Sequence, residues 1–179
     1  MRFLRHLLAT SRRTAAEFAR SIDGGPAAEF ALIAPIFIVL IFATAQCAII
    51  YIANAYLETA TEEAARQVLT NQTTTLTVAQ FKSAVCANMP ALFTCASVMV
   101  GLSQATSETS ISTTTPTFNA DGSLANTMPY TQPSPGQIGV LQVLYQWPVI
   151  GLPLGWNFGN LGNGTYLMMS TQVFMVEPL

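Results

Sequence analysis

An uncharged stretch near the start of the chain constrains the fold more than any other part of the sequence. Residues 24–52 read GGPAAEFALIAPIFIVLIFATAQCAIIYI, and no charged residue occurs from Phe30 to Leu57. As a helix, residues 30–57 would be about 42 Å long, which exceeds the ~30 Å hydrocarbon core of a bilayer. The sequence therefore predicts one membrane-spanning helix.

Charge is distributed unevenly along the chain. Charged residues make up 9% of it, against about 25% in an ordinary soluble domain, which predicts burial in a membrane or against partners. Five basic residues precede the stretch: Arg2, Arg5, Arg12, Arg13 and Arg20. Three acidic residues follow it: Glu58, Glu62 and Glu63. The positive-inside rule therefore predicts a cytoplasmic N terminus and an external C-terminal part.

After Gly24 the chain carries two positive and seven negative side chains, a formal −5, so no basic surface is predicted for nucleic acid.

The three cysteines have different settings. Cys47 lies inside the apolar stretch, where it is interpreted as a small buried hydrophobe, with palmitoylation or dimer crosslinking as alternatives. Cys86 and Cys95 flank a short segment that contains Pro90, and no cysteine or histidine spacing is typical of a metal site. In an oxidising compartment, such as the external side predicted here, these two would form a disulfide.

Residues 1–23 are basic and only mildly apolar. In a secretory signal peptide the apolar core precedes the cleavage site, whereas here the candidate cleavage point, Gly24-Gly25, precedes the apolar stretch. A general signal peptide is therefore not predicted. Pro35 lies early in the stretch, where it is interpreted either as a kink or as a tolerated early-helix proline.

The remainder of the chain predicts a small α+β domain. The helix should continue through residues 54–69, and a second helix is predicted over residues 78–89, with Thr77 as N-cap and Pro90 as its end. Alternating apolar residues predict strands at residues 98–103, 138–147 and 166–176. Residues 104–137 are predicted to be a long loop with at most one irregular edge strand. The predicted architecture is a small antiparallel sheet that packs against the emerging helix.

The inventory of reactive side chains argues against catalysis. The only histidine, His6, lies in the basic leader, so no acid–base pair is available for a catalytic triad. Phosphate-binding glycine motifs are absent from the sequence as well. We therefore predict no enzymatic activity, no cofactor and no metal. Residues 148–164 form a proline- and glycine-rich segment with apolar tips in the range 152–158, either a loop that caps the sheet or a contact site for a partner.

Glu29 is a carboxylate at the cytoplasmic end of the span. An ionised carboxylate costs about 2.5–3.5 kcal/mol at full bilayer depth and less near the interface. One interpretation is a charge that favours the helix dipole and stays among the headgroups. The other is a partner: cleavage after Gly24 would create an α-amino group at Gly25, and a neighbouring subunit's ammonium could then neutralise Glu29.

The order Gly24, GPAAE, Phe30 resembles the type III signal peptide of type IV pilins and pseudopilins. In that family a prepilin peptidase cuts after a glycine and the fifth mature residue is glutamate, which is the position of Glu29 when Gly25 is first. The EFALIAP run at residues 29–35 resembles the TadE/TadF pseudopilins of tight-adherence (Flp-type) pili, TadE more closely. The resemblance extends to the two cysteines at 86 and 95, to residues 145–148 and to residues 177–179.

The resemblance implies a minor pilin with three parts: a cleaved cytoplasmic leader (residues 1–24), a transmembrane assembly helix (25–53) and an extracytoplasmic α+β domain (54–179). It implies cleavage between Gly24 and Gly25, and a role for Glu29 and Phe30 in helix register. The implied location is the bacterial inner membrane with the outer domain in the periplasm. The implied partners are the prepilin peptidase, the Flp major pilin, a TadF/TadE-type pseudopilin, inner-membrane Tad platform proteins and membrane lipid. The alternative is an uncleaved signal-anchored envelope protein whose outer domain binds a ligand or surface.

Overall fold

The computed structural model describes residues 25–70, 76–151, 155 and 157–178. Its regular elements are α1 (Gly25–Leu69), α2 (Val78–Ala87), β1 (Val98–Ala105), β2 (Ile138–Trp147) and β3 (Tyr166–Met175). The strands form one antiparallel sheet in the order β1-β2-β3. The predicted α+β class, with a long N-terminal helix, a short second helix and a small antiparallel sheet, is confirmed.

Helix α1 has two kinds of surface along its length. It is one helix of 45 residues that continues through Pro35, so a kink at that residue stays a prediction. The large apolar side chains before Ile50 are exposed, whereas from Ile50 onward one face is buried. The buried positions recur every three or four residues, as expected for one helix face: Ile50, Ala53, Leu57, Ala60, Thr61, Ala64, Ala65 and Val68.

The chain divides into two compact units, Met1–Phe42 and Ala43–Leu179. All packing contacts described below lie within the second unit. The predicted domain boundary at residue 54 stays a prediction, although the buried face of α1 already begins at Ile50.

Helix α2 begins and ends at recognisable signals. The Thr77 hydroxyl accepts a hydrogen bond from the Gln80 N–H, and the Gln80 side chain accepts one from the Thr77 N–H in return. This capping box satisfies two donors that the first turn leaves unpaired. The helix ends at Ala87, two residues earlier than predicted. The ring of Pro90 clashes with a helical conformation of the residue before it, Met89, so the helix stops before that residue.

Strand β2 is central and is buried on both faces. Leu141, Val143 and Tyr145 point to the face that α1 and α2 cover, where the core also includes Phe81 and Val85 of α2. The opposite face of β2 carries Ile138, Val140, Gln142 and Leu144, all buried as well. Successive side chains of β2 therefore alternate between two buried faces, rather than between a buried face and a solvent-exposed one.

Residues 111–131 lie over the part of the sheet's second face that β2 forms. The Gln142 side chain accepts a hydrogen bond from the Thr114 N–H at 2.9 Å and donates one to the Thr114 carbonyl at 3.3 Å. The Gln146 side chain donates to the Gly122 carbonyl at 2.6 Å. At the edge of β1, Leu102 forms a parallel bridge with Tyr130. The segment predicted as a loop is therefore a hydrogen-bonded cover, and its edge contact with the sheet is an isolated bridge rather than a strand.

Candidate functional site

The N-terminal half of α1 exposes a continuous apolar surface. Its large side chains between residues 30 and 42 are 48–76% exposed: Phe30, Leu32, Ile33, Ile36, Phe37, Ile38, Leu40, Ile41 and Phe42. Within the described residues, α1 is the one helix long and apolar enough to cross a membrane. Exposed apolar surface of this extent marks a membrane or protein contact.

Glu29 and Phe30 are adjacent and exposed near the start of this surface, and α1 begins at Gly25. The described part of the chain contains no ion-pair partner for Glu29. A Cβ atom added to Gly25 would meet nothing within 4 Å, so packing does not require glycine there. Gly24 and the basic residues before it lie outside the described residues, and cleavage between Gly24 and Gly25 remains a prediction.

Cys47 is a free and exposed cysteine. No other part of the chain that the structure describes buries its side chain, because position 47 lies on the exposed part of α1, before the buried face begins. Burial of Cys47 within a membrane stays a prediction. Its thiol would contact lipid or a neighbouring helix in a membrane.

Cys86 and Cys95 form a disulfide, with Cα atoms 5.7 Å apart, as predicted. The bond joins the end of α2 to the short 3₁₀ turn that precedes β1. Inside the closed loop, the Phe93 ring lies 4.8 Å from the Tyr145 ring and 5.9 Å from the Trp147 ring, edge to face in both pairs. This aromatic cluster was not predicted from the sequence. Its only local signal is that Tyr145 and Trp147 are two residues apart in β2 and therefore share a face of the strand.

Two ionisable groups of the α+β domain have pKa values that their surroundings shift. Hydrogen bonds from the Ser123 hydroxyl, at 2.6 Å, and then from its N–H lower the pKa of the Asp121 carboxyl. Burial raises the pKa of the Tyr130 phenol above its usual 10.0. Neither group is set beside a second reactive side chain, and the described residues contain no cluster of three metal-ligating side chains.

A shallow pocket of about 290 Å³ lies between α2, β1 and the cover segment. Its lining is mostly apolar: Val78, Met99, Val100, Leu124, Thr127 and Met128. Thr127 contributes the one hydroxyl side chain of this lining, and the pocket could hold an apolar group.

The described structure thus defines a class: a protein with one apolar N-terminal helix suited to a membrane and a small, disulfide-linked α+β domain. Residues 24–66 match the family model for TadE-like protein, so the TadE resemblance is confirmed for this segment, which contains Gly24, Glu29 and Pro35. Comparison with curated proteins and with solved structures gives no match.

Proposed function

We propose that this protein is a TadE-like pseudopilin, a minor pilin that takes part in the assembly of a Tad (Flp-type) pilus and in surface adherence. The observation that carries the proposal is the TadE-like match over residues 24–66. That segment begins at the predicted cleavage residue, Gly24, and contains the whole exposed apolar surface of α1. The proposed role is structural rather than catalytic.

The exposed apolar surface supports assembly through helix bundling. Before assembly, lipid would cover the side chains from Phe30 to Ile49, and in a pilus other pilin helices would cover them. When such helices exchange lipid contacts for contacts with each other, a polar group is needed to set their register, because apolar contacts alone allow several registers. Glu29 supplies that feature, and the α-amino group of a neighbouring Gly25 is its proposed partner.

Processing and location complete the proposal. A prepilin peptidase cleaves after Gly24 on the cytoplasmic face of the inner membrane, and the domain that contains the sheet lies in the periplasm. The Cys86–Cys95 disulfide supports that side of the membrane, because disulfides persist in oxidising compartments. The proposed partners are the Flp major pilin, a second TadE/TadF-type pseudopilin and inner-membrane Tad platform proteins.

Intact mass spectrometry tests the proposal directly. The purified protein should begin at Gly25 in cells that contain the cognate prepilin peptidase and at Met1 in cells that lack it. Gly24→Ala should leave the leader attached, whereas Gly151→Ala, at an exposed glycine of the outer domain with open space around it, should be processed normally. A chain that still begins at Met1 in peptidase-positive cells would overturn the proposal and favour the uncleaved signal-anchored protein.

A further inference from the structure

The direction of α1 across the sheet follows from one hydrogen bond. The Glu177 N–H donates to the Leu69 carbonyl at 3.1 Å, so the end of α1 lies just beyond Met175, which pairs with Ile138. The buried face of α1 extends back to Ile50, a helix length of about 28 Å. Three strands span only about 10 Å across, whereas the ten-residue β2 is roughly 33 Å long. The helix therefore runs along the strands.

Ile50 consequently lies at the other end of the sheet, where Trp147 pairs with Tyr166. We call this the proximal end, because it is the end at which the exposed apolar part of α1 joins the domain. The opposite end, at Ile138 and Met175, is the distal end.

Two loops meet at the proximal end, and each exposes an apolar side chain. The β2–β3 connection leaves Trp147 and carries Ile150, which is 78% exposed. The disulfide loop precedes β1 and carries Leu92, which is 56% exposed. Both loops are anchored from below, since Val149 and Phe93, their immediate neighbours, pack against the hydrophobic core. Residues 152–154 and 156 lie outside the described residues.

The proximal end is poor in charge. The sequence contains no charged residue from position 122 to position 176, a range that includes β2, β3 and their connection. Three charged side chains lie toward this end. The Lys82 ammonium donates to the Ala96 carbonyl at 3.1 Å, Asp121 precedes Gly122, whose carbonyl accepts from Gln146, and Glu58 is exposed on α1 two residues beyond Tyr56. Such a surface does not predict attraction to anionic headgroups, which requires clustered basic residues.

The helix surface beside the proximal end has the composition of a membrane boundary. Tyr51 is 77% and Tyr56 48% exposed, and tyrosine is enriched where a helix leaves the hydrocarbon core. The twenty residues from Phe30 to Ile49 would cross about 30 Å as a helix. A span that starts at Phe30 would therefore end next to Ile50, which is the residue where the buried face of α1 begins.

We propose that the proximal end rests on the outer surface of the bilayer, with Leu92 and Ile150 in the interfacial layer of that leaflet. Lipid is the occupant that these observations favour, because the exposed residues 47–49 of α1, which belong to the same compact unit as the sheet, lead directly to Ile50 at this end. The contact is apolar and independent of headgroup charge. It would hold the domain against the membrane until the helix leaves the bilayer, and it depends on the membrane span rather than on the pilin role.

Depth measurement by electron paramagnetic resonance tests the proposal. The full chain, carrying Cys47→Ser and kept oxidised so that Cys86 and Cys95 stay paired, is reconstituted into phosphatidylcholine vesicles with a nitroxide at Ile150→Cys or Leu92→Cys. Collisions with oxygen, which concentrates in lipid, are compared with collisions with a water-soluble nickel chelate. Met175→Cys is the matched control, because Met175 is an apolar side chain of similar exposure, 60%, at the distal end.

Labels at positions 92 and 150 should show an oxygen-to-nickel collision ratio several-fold higher than the label at position 175. Ile150→Asp should shift the label at position 92 toward the aqueous ratio, with an unchanged melting temperature. The result should not depend on whether the vesicles contain anionic lipid. Equal ratios at positions 150 and 175 would overturn the proposal, as would a lipid signal that appears only with anionic lipid. Neither result bears on leader cleavage, so this proposal and the pilin proposal fail separately.

Discussion

The Thr94 N–H donates a hydrogen bond to the phenolic oxygen of Tyr145, at 3.1 Å. This contact joins the disulfide loop to the central strand, in addition to the edge-to-face contact between the Phe93 and Tyr145 rings. Tyr145 is 3% exposed, so water has little access to its hydroxyl and could not readily replace this hydrogen bond. The loop is therefore held by a covalent bond at its ends and by a polar contact within it.

Tyr145→Phe should lower the free energy of unfolding by about 1–2 kcal/mol, because it leaves the Thr94 N–H without its acceptor. The ring and its apolar contacts are retained in this variant. Thermal denaturation in detergent micelles, followed by circular dichroism, provides the measurement. Tyr56→Phe, at a half-exposed position on α1, is the control and should melt like the wild type. An unchanged stability of Tyr145→Phe would show that the hydrogen bond contributes nothing.

Loss of the disulfide should destabilise the α+β domain by roughly 2–3 kcal/mol, the value expected for closure of a loop of this size. The double variant Cys86→Ser/Cys95→Ser and the reduced wild-type protein should therefore melt at similar, lowered temperatures. Cys47→Ser is the matched control, since Cys47 is free and exposed. If reduction left the melting temperature unaltered, the proposed contribution of the bond would be wrong.

Gln142→Leu should release the cover segment from the sheet. Gln142 is 3% exposed and bonds both the N–H and the carbonyl of Thr114, so an apolar replacement leaves two backbone groups unpaired, at about 1–3 kcal/mol. Hydrogen exchange should accelerate over residues 111–131 before it does so in β2. Gln104→Leu, at an exposed position of β1, should leave exchange in the cover segment unchanged, and uniform acceleration throughout the domain would contradict the local role.

Glu29→Gln should leave leader cleavage intact but reduce incorporation of the protein into pili, because the neutral amide cannot pair with a neighbouring α-amino group. Sheared pili are compared by immunoblot with membrane fractions from the same cells. Glu58→Gln removes an exposed carboxylate farther along the same helix and should be incorporated normally. Wild-type incorporation of Glu29→Gln would refute the register role.

Alkaline pH should destabilise the domain partly through Tyr130. Burial raises the pKa of this phenol above 10.0 in the folded state, and its hydroxyl donates to the Leu76 carbonyl at 3.4 Å. Because the folded pKa is above the unfolded one, the contribution is fully present below pH 10 and is lost as pH rises through the folded value. The free energy of unfolding of Tyr130→Phe, measured by urea titration at a series of pH values, should therefore fall less steeply above pH 10 than that of the wild type. An equally steep fall in both proteins would show that Tyr130 does not contribute to the alkaline loss of stability.

The strongest local patterns in the sequence were sufficient for several elements. The charge-free run predicted α1, the Thr77 and Pro90 signals predicted α2, and alternation predicted β2 at Ile138–Trp147. Each of these signals is a property of residues that are close together in the sequence. The surrounding fold therefore need not be known to recognise it. The pairing of Cys86 with Cys95 was also predictable once the external side was inferred.

The second face of the sheet was not predictable in this way. Val140 and Leu144 alternate with Leu141 and Val143, which indicates a strand buried on both sides but does not reveal what covers it. The cover comes from residues 111–131, whose polar composition is typical of an exposed loop. Its attachment depends on Gln142 and Gln146, and a buried glutamine gives no periodic signal of its partner.

By itself, the sequence determined that a long uncharged stretch follows a basic N-terminal segment, and that Gly24 and Glu29 stand at the spacing from which cleavage and register were inferred. The tertiary structure alone decided where that helix begins to pack, at Ile50, and which end of the sheet lies there. The reason is physical: helix formation and hydrophobicity are local properties of consecutive residues. The direction of the helix across the sheet, in contrast, depends on a contact between Leu69 and Glu177, which only the folded chain brings together.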